Sequence, residues 1–234
     1  MKSQNETAII MAAGTGTRML PLTKTTAKPL IPVFGTPMIE TIINALKGRG
    51  VSKIYIVVGY KKEQFEYLKS KYENIELIEN KEYLEKNNIS SLKAAENVLG
   101  SENCFICEGD LYIGDSAVFL PEFKQSCYFG KFIEGYSDDW IFETDENKIV
   151  DIKKGGTNLF NMCGISYWLK DDIAEVAKAI SAAYREPSHK DLFWDEVVNR
   201  VLNKINVSVH PINLGQIVEL DTEDDLNKLT NGVK

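Results

Sequence analysis

The first pattern in the chain is a short apolar run, Thr7-Ala8-Ile9-Ile10-Met11-Ala12, that stops at Gly14 and Gly16. A continuous run of that length, bounded by turn residues, predicts a strand buried on both faces. Pro37 predicts the first position of a helix, with Ile39, Ile42, Ile43 and Leu46 on one face and Gly48 and Gly50 near its end. Residues 53–58 read as a second strand closed by Gly59. Residues 61–72 read as a helix carrying Phe65, Leu68 and Tyr72, and 75–78 as a third strand. A helix from Ser90 or Ser91 through Leu99 and a fourth strand at 104–107 complete a β-α-β-α-β-α-β alternation. That alternation predicts a mostly parallel, doubly wound α/β sheet, whose ligands gather where loops leave the carboxyl ends of strands.

The rhythm changes near Tyr128. Segments 127–133, 140–144, 149–153 and 162–168 read as strands with short turns, so this part is expected to be antiparallel or mixed. Helices are expected over 171–184 and, after Pro187, over 191–203, with Phe193, Val197 and Val201 on one face. In that helix Phe193 is expected in the core and Trp194 is the freer ring. Strands at 207–209 and 216–220 follow, and Thr222 with Asp225 forms the pattern of a capping box for a last helix. Nothing in the pattern separates two domains, so 1–234 is read as one domain, with 1–125 its nucleotide-binding half and 126–234 its acceptor-binding half.

Composition narrows the function class. With 234 residues, 44% hydrophobic and 26% charged, the chain has the make-up of an ordinary globular domain. The longest apolar runs fall far short of a membrane span, and the first eight residues lack the apolar core of a leader, so a cytoplasmic enzyme is expected. A net charge of −7 argues against general nucleic-acid binding but leaves room for a small anionic ligand held by a few local cations and a metal ion. Cys104 and Cys107 have a C-x-x-C spacing inside an apolar run, with Cys127 and Cys163 standing apart. Reduced cysteines packed in a strand are the expectation there.

The loop after the first strand carries the chemistry. In Ala12-Ala13-Gly14-Thr15-Gly16-Thr17-Arg18-Met19-Leu20-Pro21-Leu22-Thr23 the glycines let backbone N–H groups approach a phosphate chain. Thr15 and Thr17 add hydroxyls, Arg18 a planar fork of donors and Lys28 a point charge. Neither a Walker loop nor a dinucleotide fingerprint fits, since no G-x-x-x-x-G-K occurs and Met19 stands where a third glycine is needed.

With Lys28-Pro29-Leu30 downstream, this run resembles the signature of the sugar-nucleotidyltransferase superfamily. Further pieces extend the likeness over nearly the whole chain to the small bacterial CTP:phosphocholine cytidylyltransferases. They include Val58-Gly59-Tyr60, Glu108-Gly109-Asp110, Asp139-Trp140, 164–168, 191–195 and Glu219-Leu220-Asp221. The resemblance implies a Rossmann-like mixed sheet of the nucleotide-diphospho-sugar transferase type, with helices on both faces. It implies attack by an acceptor phosphate oxygen on the α-phosphorus of CTP, with pyrophosphate leaving. Arg18 and Lys28 would then hold phosphates, Asp110 and Asp221 would hold Mg²⁺, and Ala12, Ala13, Asn87, Asn88 and Ser90 would meet the nucleoside.

For the acceptor, Trp140 and Phe193 or Trp194 offer aromatic faces, and Asp139, Asp191 and Asp195 offer carboxylates, which together suit a quaternary ammonium. Transfer of CMP from CTP to phosphocholine, giving CDP-choline, is therefore the leading expectation; the carboxylates suit a primary ammonium just as well, so phosphoethanolamine and 2-aminoethylphosphonate are the alternative acceptors. Lys154 or its neighbour Lys153 is expected to hold the acceptor phosphate. A sugar-1-phosphate enzyme and an inactive nucleotide-sensing homologue are the other readings, and assembly as a homodimer is left open.

Overall fold

The computed structural model describes residues 5–232; residues 1–4, part of the stretch read for a leader, lie outside it, as do 233–234. β1 (Glu6–Ala12) holds the interior of a seven-stranded sheet, as its unbroken apolar run requires. Three single 3-10 turns follow, at Thr17–Met19, Leu22–Lys24 and Lys28–Leu30, and then a two-residue ribbon of β2 (Pro32–Val33) and β3 (Thr36–Pro37). α1 is Met38–Arg49. Pro37 precedes it as the cap residue, not its first helical position, because Pro37 is still extended and paired with Pro32.

β4 (Lys53–Val58) lies parallel to β1, and β5 (Ile75–Glu79) parallel to β4. Residues 61–72 are not one helix. They divide into a 3-10 turn, Lys62–Phe65, and α2 (Tyr67–Lys71), while Phe65 and Leu68 still face the core as their spacing requires. The Gln64 side chain accepts from the Ala27 N–H at 2.8 Å and donates to the Thr25 carbonyl at 2.7 Å, which ties the turn to the loop before Lys28. α3 (Ile89–Ala94) is shorter than expected, and the chain continues through turns in which Ala95 and Leu99 remain buried.

β6 (Asn103–Glu108) flanks β1 on its other side, in parallel. β7 (Leu111–Ile113) leaves the main sheet. The four segments expected between 127 and 168 are parts of two long bent strands, β8 (Ser126–Asp145) and β9 (Lys148–Trp168). Their register shifts repeatedly, and Ile141 faces both Asn161 and Lys153, so the ribbon folds back on itself. α4 is Lys170–Ala183. The helix expected over 191–203 contracts to α5 (Trp194–Asn199), after a 3-10 turn at His189–Asp191. β10 (Val207–Ile212), β11 (Ile217–Glu219) and α6 (Glu223–Asn231) complete the chain, the last starting at the Thr222–Asp225 capping box.

The sheet order is β10-β8-β9-β6-β1-β4-β5, parallel through β6-β1-β4-β5 and antiparallel at β9. Cores cover both faces. Ala8, Ile10 and Ala12 pack with α1 on one, while Ile9 and Val57 pack with α3, α4 and α5 on the other. The three-residue spacing sends Cys107 to the first core and Cys104 to the second, so the C-x-x-C thiols are separated by the sheet. All four cysteines are free and buried, and burial pushes the Cys104 thiol up to about 12. Among the described residues no helix is long and apolar enough to cross a membrane.

Candidate functional site

At the carboxyl end of β1 the loop from Ala12 to Lys28 folds over itself. Gly16 has φ +64°, and a Cβ there would stand 2.7 Å from the Cβ of Lys28, so glycine permits both the turn and the close approach of the lysine stem. The Thr23 hydroxyl donates to the Gly16 carbonyl at 3.0 Å, and the Tyr60 hydroxyl donates to the Thr23 carbonyl at 2.8 Å. The loop is therefore a fixed frame on which Arg18 stays exposed and Lys28 is buried.

Two Glu-x-Asp segments converge opposite this loop. The first ends β6 as Glu108-Gly109-Asp110 and the second ends β11 as Glu219-Leu220-Asp221. β11 pairs with β7, and the Leu220 N–H donates to the Asp110 carbonyl at 3.2 Å, which brings the two segments side by side. Gly109 lets the first segment lie close against the end of β1, since a Cβ there would be 2.8 Å from the Met11 carbonyl oxygen. Lys28 Nζ lies 2.7 Å from Asp110 and 2.8 Å from Asp221, and Arg18 also reaches Asp221 at 2.8 Å. Burial alone would lower the Lys28 ammonium; the Asp110 and Asp221 carboxylates outweigh it and raise the group above its ordinary value.

Glu108 and Glu219 are the site residues that sequence reasoning did not single out. One oxygen from each of Glu108, Asp110 and Glu219 falls within 4.8 Å of the others. Burial, then the neighbouring Asp110 charge, pushes Glu108 well above the carboxylate range and Glu219 up to about 8. Burial and the repulsion of neighbouring carboxylates thus disfavour charge on Glu108 and Glu219, an arrangement that a divalent cation relieves. Hard oxygen donors of this kind fit Mg²⁺. The signal in the sequence was the repeated Glu-x-Asp spacing at two strand ends.

Two clefts meet at this cluster. The first is lined by the loop from Ala12 to Arg18, including Ala13, Gly14, Thr15, Gly16 and Thr17, and across from it by Asn87, Asn88 and Ser90. The Asn87, Asn88 and Ser90 side chains are engaged with protein. Asn87 Nδ2 donates to the Asp191 carbonyl at 3.2 Å, Asn88 Oδ1 accepts from the Trp194 N–H at 2.9 Å, and Ser90 Oγ accepts from Asn80 at 2.9 Å. The second cleft shares Arg18, Glu108 and Asp110 with the first and continues to Asp139, Trp140, Lys154, Phe193, Asp195 and Glu219.

Within the second cleft the expected roles of two rings are exchanged. Trp194 is 3% exposed and packs against Tyr128 and Trp168, while Phe193 lines the cleft in edge contact with Trp140 at 5.4 Å. The helix begins at 194, three residues later than expected, and this turns Trp194 inward with Val197 and Val198. Lys154 Nζ lies over both cleft rings, 5.2 Å from Trp140 and 5.3 Å from Phe193. Lys153 points elsewhere and pairs with Glu143. Asp195 is 2% exposed and accepts from the Tyr128 hydroxyl at 2.9 Å; burial pushes its carboxyl up to about 7. Asp191 is exposed and lines a neighbouring recess instead of this cleft.

Comparison with known proteins agrees with this architecture. A family model described as nucleotidyl transferase matches residues 7–128. The chain is 51% identical over 231 residues to a 2-aminoethylphosphonate cytidylyltransferase of Lancefieldella rimae, covering 98% of this chain and 94% of the relative. It is 35% identical to a choline-phosphate cytidylyltransferase of Streptococcus pneumoniae, covering 97% of this chain and 98% of that one. A solved structure of the CTP:phosphocholine cytidylyltransferase of Streptococcus pneumoniae superposes with a TM-score of 0.90 at 33% identity, over 98% of this chain and all of that one. A glycine-rich strand-end loop facing paired carboxylates, on a fold shared with these relatives over almost its full length, makes the chain an enzyme of the nucleotidyl transferase family.

Proposed function

We propose that the protein transfers the cytidylyl group of CTP to 2-aminoethylphosphonate, releasing pyrophosphate. The observation that carries this reading is the second cleft, where the Asp139 and Asp195 carboxylates line the wall together with Trp140 and Phe193. A primary ammonium donates three hydrogen bonds and is recognised by carboxylates. A quaternary ammonium needs open aromatic faces, and here Trp140 and Phe193 touch each other and carry Lys154 above them. The 51% identity to a relative named for this phosphonate supports the same choice.

In this reading the loop from Ala12 to Thr17 holds the triphosphate with its backbone N–H groups and hydroxyls. Arg18 and Lys28 grip its oxygens and offset charge on the departing pyrophosphate. Asp110 and Asp221 would hold Mg²⁺, which supplies neutralisation of the triphosphate, with Glu108 and Glu219 beside them. Lys154 is the cation for the phosphonate, and Asp139 and Asp195 receive the amine. The phosphonate oxygen attacks the α-phosphorus, and the phosphorus–oxygen bond to pyrophosphate breaks. No covalent enzyme intermediate is required, because alignment and charge neutralisation carry such a reaction.

Phosphocholine is the second reading, favoured by one observation: the Trp140–Phe193 pair already accommodates a cation, that of Lys154. Pyrophosphate-release kinetics with CTP and each acceptor separate the two. The expected kcat/KM is about tenfold or more higher for 2-aminoethylphosphonate, a gap of about 1.4 kcal/mol. A preference for phosphocholine would reverse the assignment.

A further inference from the structure

At the start of α5 the Phe193 N–H donates to Glu196 Oε2 at 2.7 Å, but the first-turn N–H groups find no acceptor on the cap side chain. The cap residue is Phe193, whose side chain has no oxygen to accept from the first turn. The missing acceptor comes from far away in sequence: Asn88 Oδ1 takes the Trp194 N–H at 2.9 Å. Asn87 fastens the segment just before, its backbone N–H donating to the Lys190 carbonyl at 2.8 Å and its side chain to the Asp191 carbonyl at 3.2 Å. Both asparagines line the cleft read as the nucleotide's, while Phe193 and Asp195 line the cleft read as the acceptor's.

The asparagine loop is itself rigid. Asn80 is buried and donates to Ser90 Oγ at 2.9 Å and to Ser91 Oγ at 3.3 Å, and Ser90 donates to the Asn87 carbonyl at 2.8 Å. A displacement of this loop by a bound nucleoside is therefore passed to the segment before α5 through Asn87, and into the first turn of α5 itself through Asn88. There Trp194 is fixed by Tyr128 and Trp168, and Asp195 by the Tyr128 hydroxyl.

We propose that Asn88 is a positioning residue that couples the two clefts. Occupation of the nucleotide cleft fixes the start of α5, and this sets Phe193 and Asp195 for the acceptor. The inference rests on the assignment of the clefts made above. It makes the acceptor's affinity depend on the nucleotide, by about fivefold or more in the range usual for coupled sites.

Amide hydrogen exchange tests the coupling without any acceptor. In the wild-type protein, saturation with a non-reactive methylene analogue of CTP should slow exchange at the Trp194 to Glu196 amides. In Asn88→Ala that protection should vanish at saturating analogue, and in Asn88→Asp, which keeps an oxygen acceptor, it should return. Protection that persists in Asn88→Ala, or that never occurs in the wild type, overturns the proposal. Calorimetric titration of 2-aminoethylphosphonate with and without the analogue then reads the predicted fivefold change and its loss in Asn88→Ala. If exchange responds as expected while acceptor affinity does not, the coupling stands and the acceptor assignment of the second cleft fails.

Discussion

Lys28 is held between two carboxylates, Asp110 at 2.7 Å and Asp221 at 2.8 Å, and the strongest residue-level expectations concern this contact. Asp110→Ala should lower kcat by about 10²–10³-fold, the range seen when a preorganised charge partner is removed. The same variant should bind Mn²⁺ more weakly in an electron paramagnetic resonance titration; unchanged Mn²⁺ binding would remove Asp110 from the metal site. Gly16→Ala should cost activity through Lys28, because the new Cβ would stand 2.7 Å from the lysine Cβ at a φ of +64°. Left-handed backbone adds about 1–2 kcal/mol of strain for a non-glycine residue, measurable as a lowered Tm. Asp195 gives a pH expectation. Its folded carboxyl titrates at about 7 instead of 3.8, so the free protein carries it partly protonated near neutrality. The unfolded carboxyl loses its proton first, so this group makes the fold less stable as pH rises from 3.8 to 7. A cationic acceptor prefers the ionised form, so the acceptor KM should rise as pH falls through about 7. The Tyr128 hydrogen bond lowers the Asp195 value, so Tyr128→Phe should move that rise to higher pH. A KM profile unaltered by Tyr128→Phe would separate Asp195 from acceptor binding.

At the scale of elements, the chain's alternation of apolar and turn residues made the β1 to β6 half legible. β1, β4 and β6 are apolar runs each followed by a glycine, and the stops after β1 and β6 mark where a loop reaches the site. The second half was less legible because β8 and β9 bend and shift register, with Ile141 paired to both Asn161 and Lys153. A pattern of four short strands is how such a folded ribbon reads when only local alternation is visible. The same blindness exchanged Phe193 and Trp194: periodicity fixed a face, but the cap of α5 comes from Asn88, and no local pattern could supply that start. Glu108 and Glu219 escaped notice since their convergence depends on the β7–β11 pairing, a contact between residues about a hundred positions apart. The exchanged rings give an element-level test. Trp194→Ala should destabilise the protein by about 3–5 kcal/mol, as for a large buried aromatic, read by chemical denaturation. Phe193→Ala should leave stability closer to wild type and raise the acceptor KM with little change in the KM for CTP. Equal stability losses would contradict the placement of one ring in the core and the other at the cleft.

For the whole molecule, a parallel half that carries the loop from Ala12 to Lys28 is joined to a bent antiparallel half that lines the second cleft, and both end at one carboxylate cluster. Arg18, Glu108 and Asp110 line both clefts, so in the proposed reading two substrates seated in them would meet beside Arg18. In that reading the loop serves the reaction and residues far downstream choose the acceptor. Cytidylyl transfer to a phosphonate is read directly by ³¹P NMR of the products. Incubation of the protein with CTP, Mg²⁺ and 2-aminoethylphosphonate should give pyrophosphate and, in equal amount, a phosphonate resonance shifted and split by its new anhydride link to CMP. An unchanged phosphonate resonance, with phosphocholine or a sugar phosphate consumed in its place, would contradict the account.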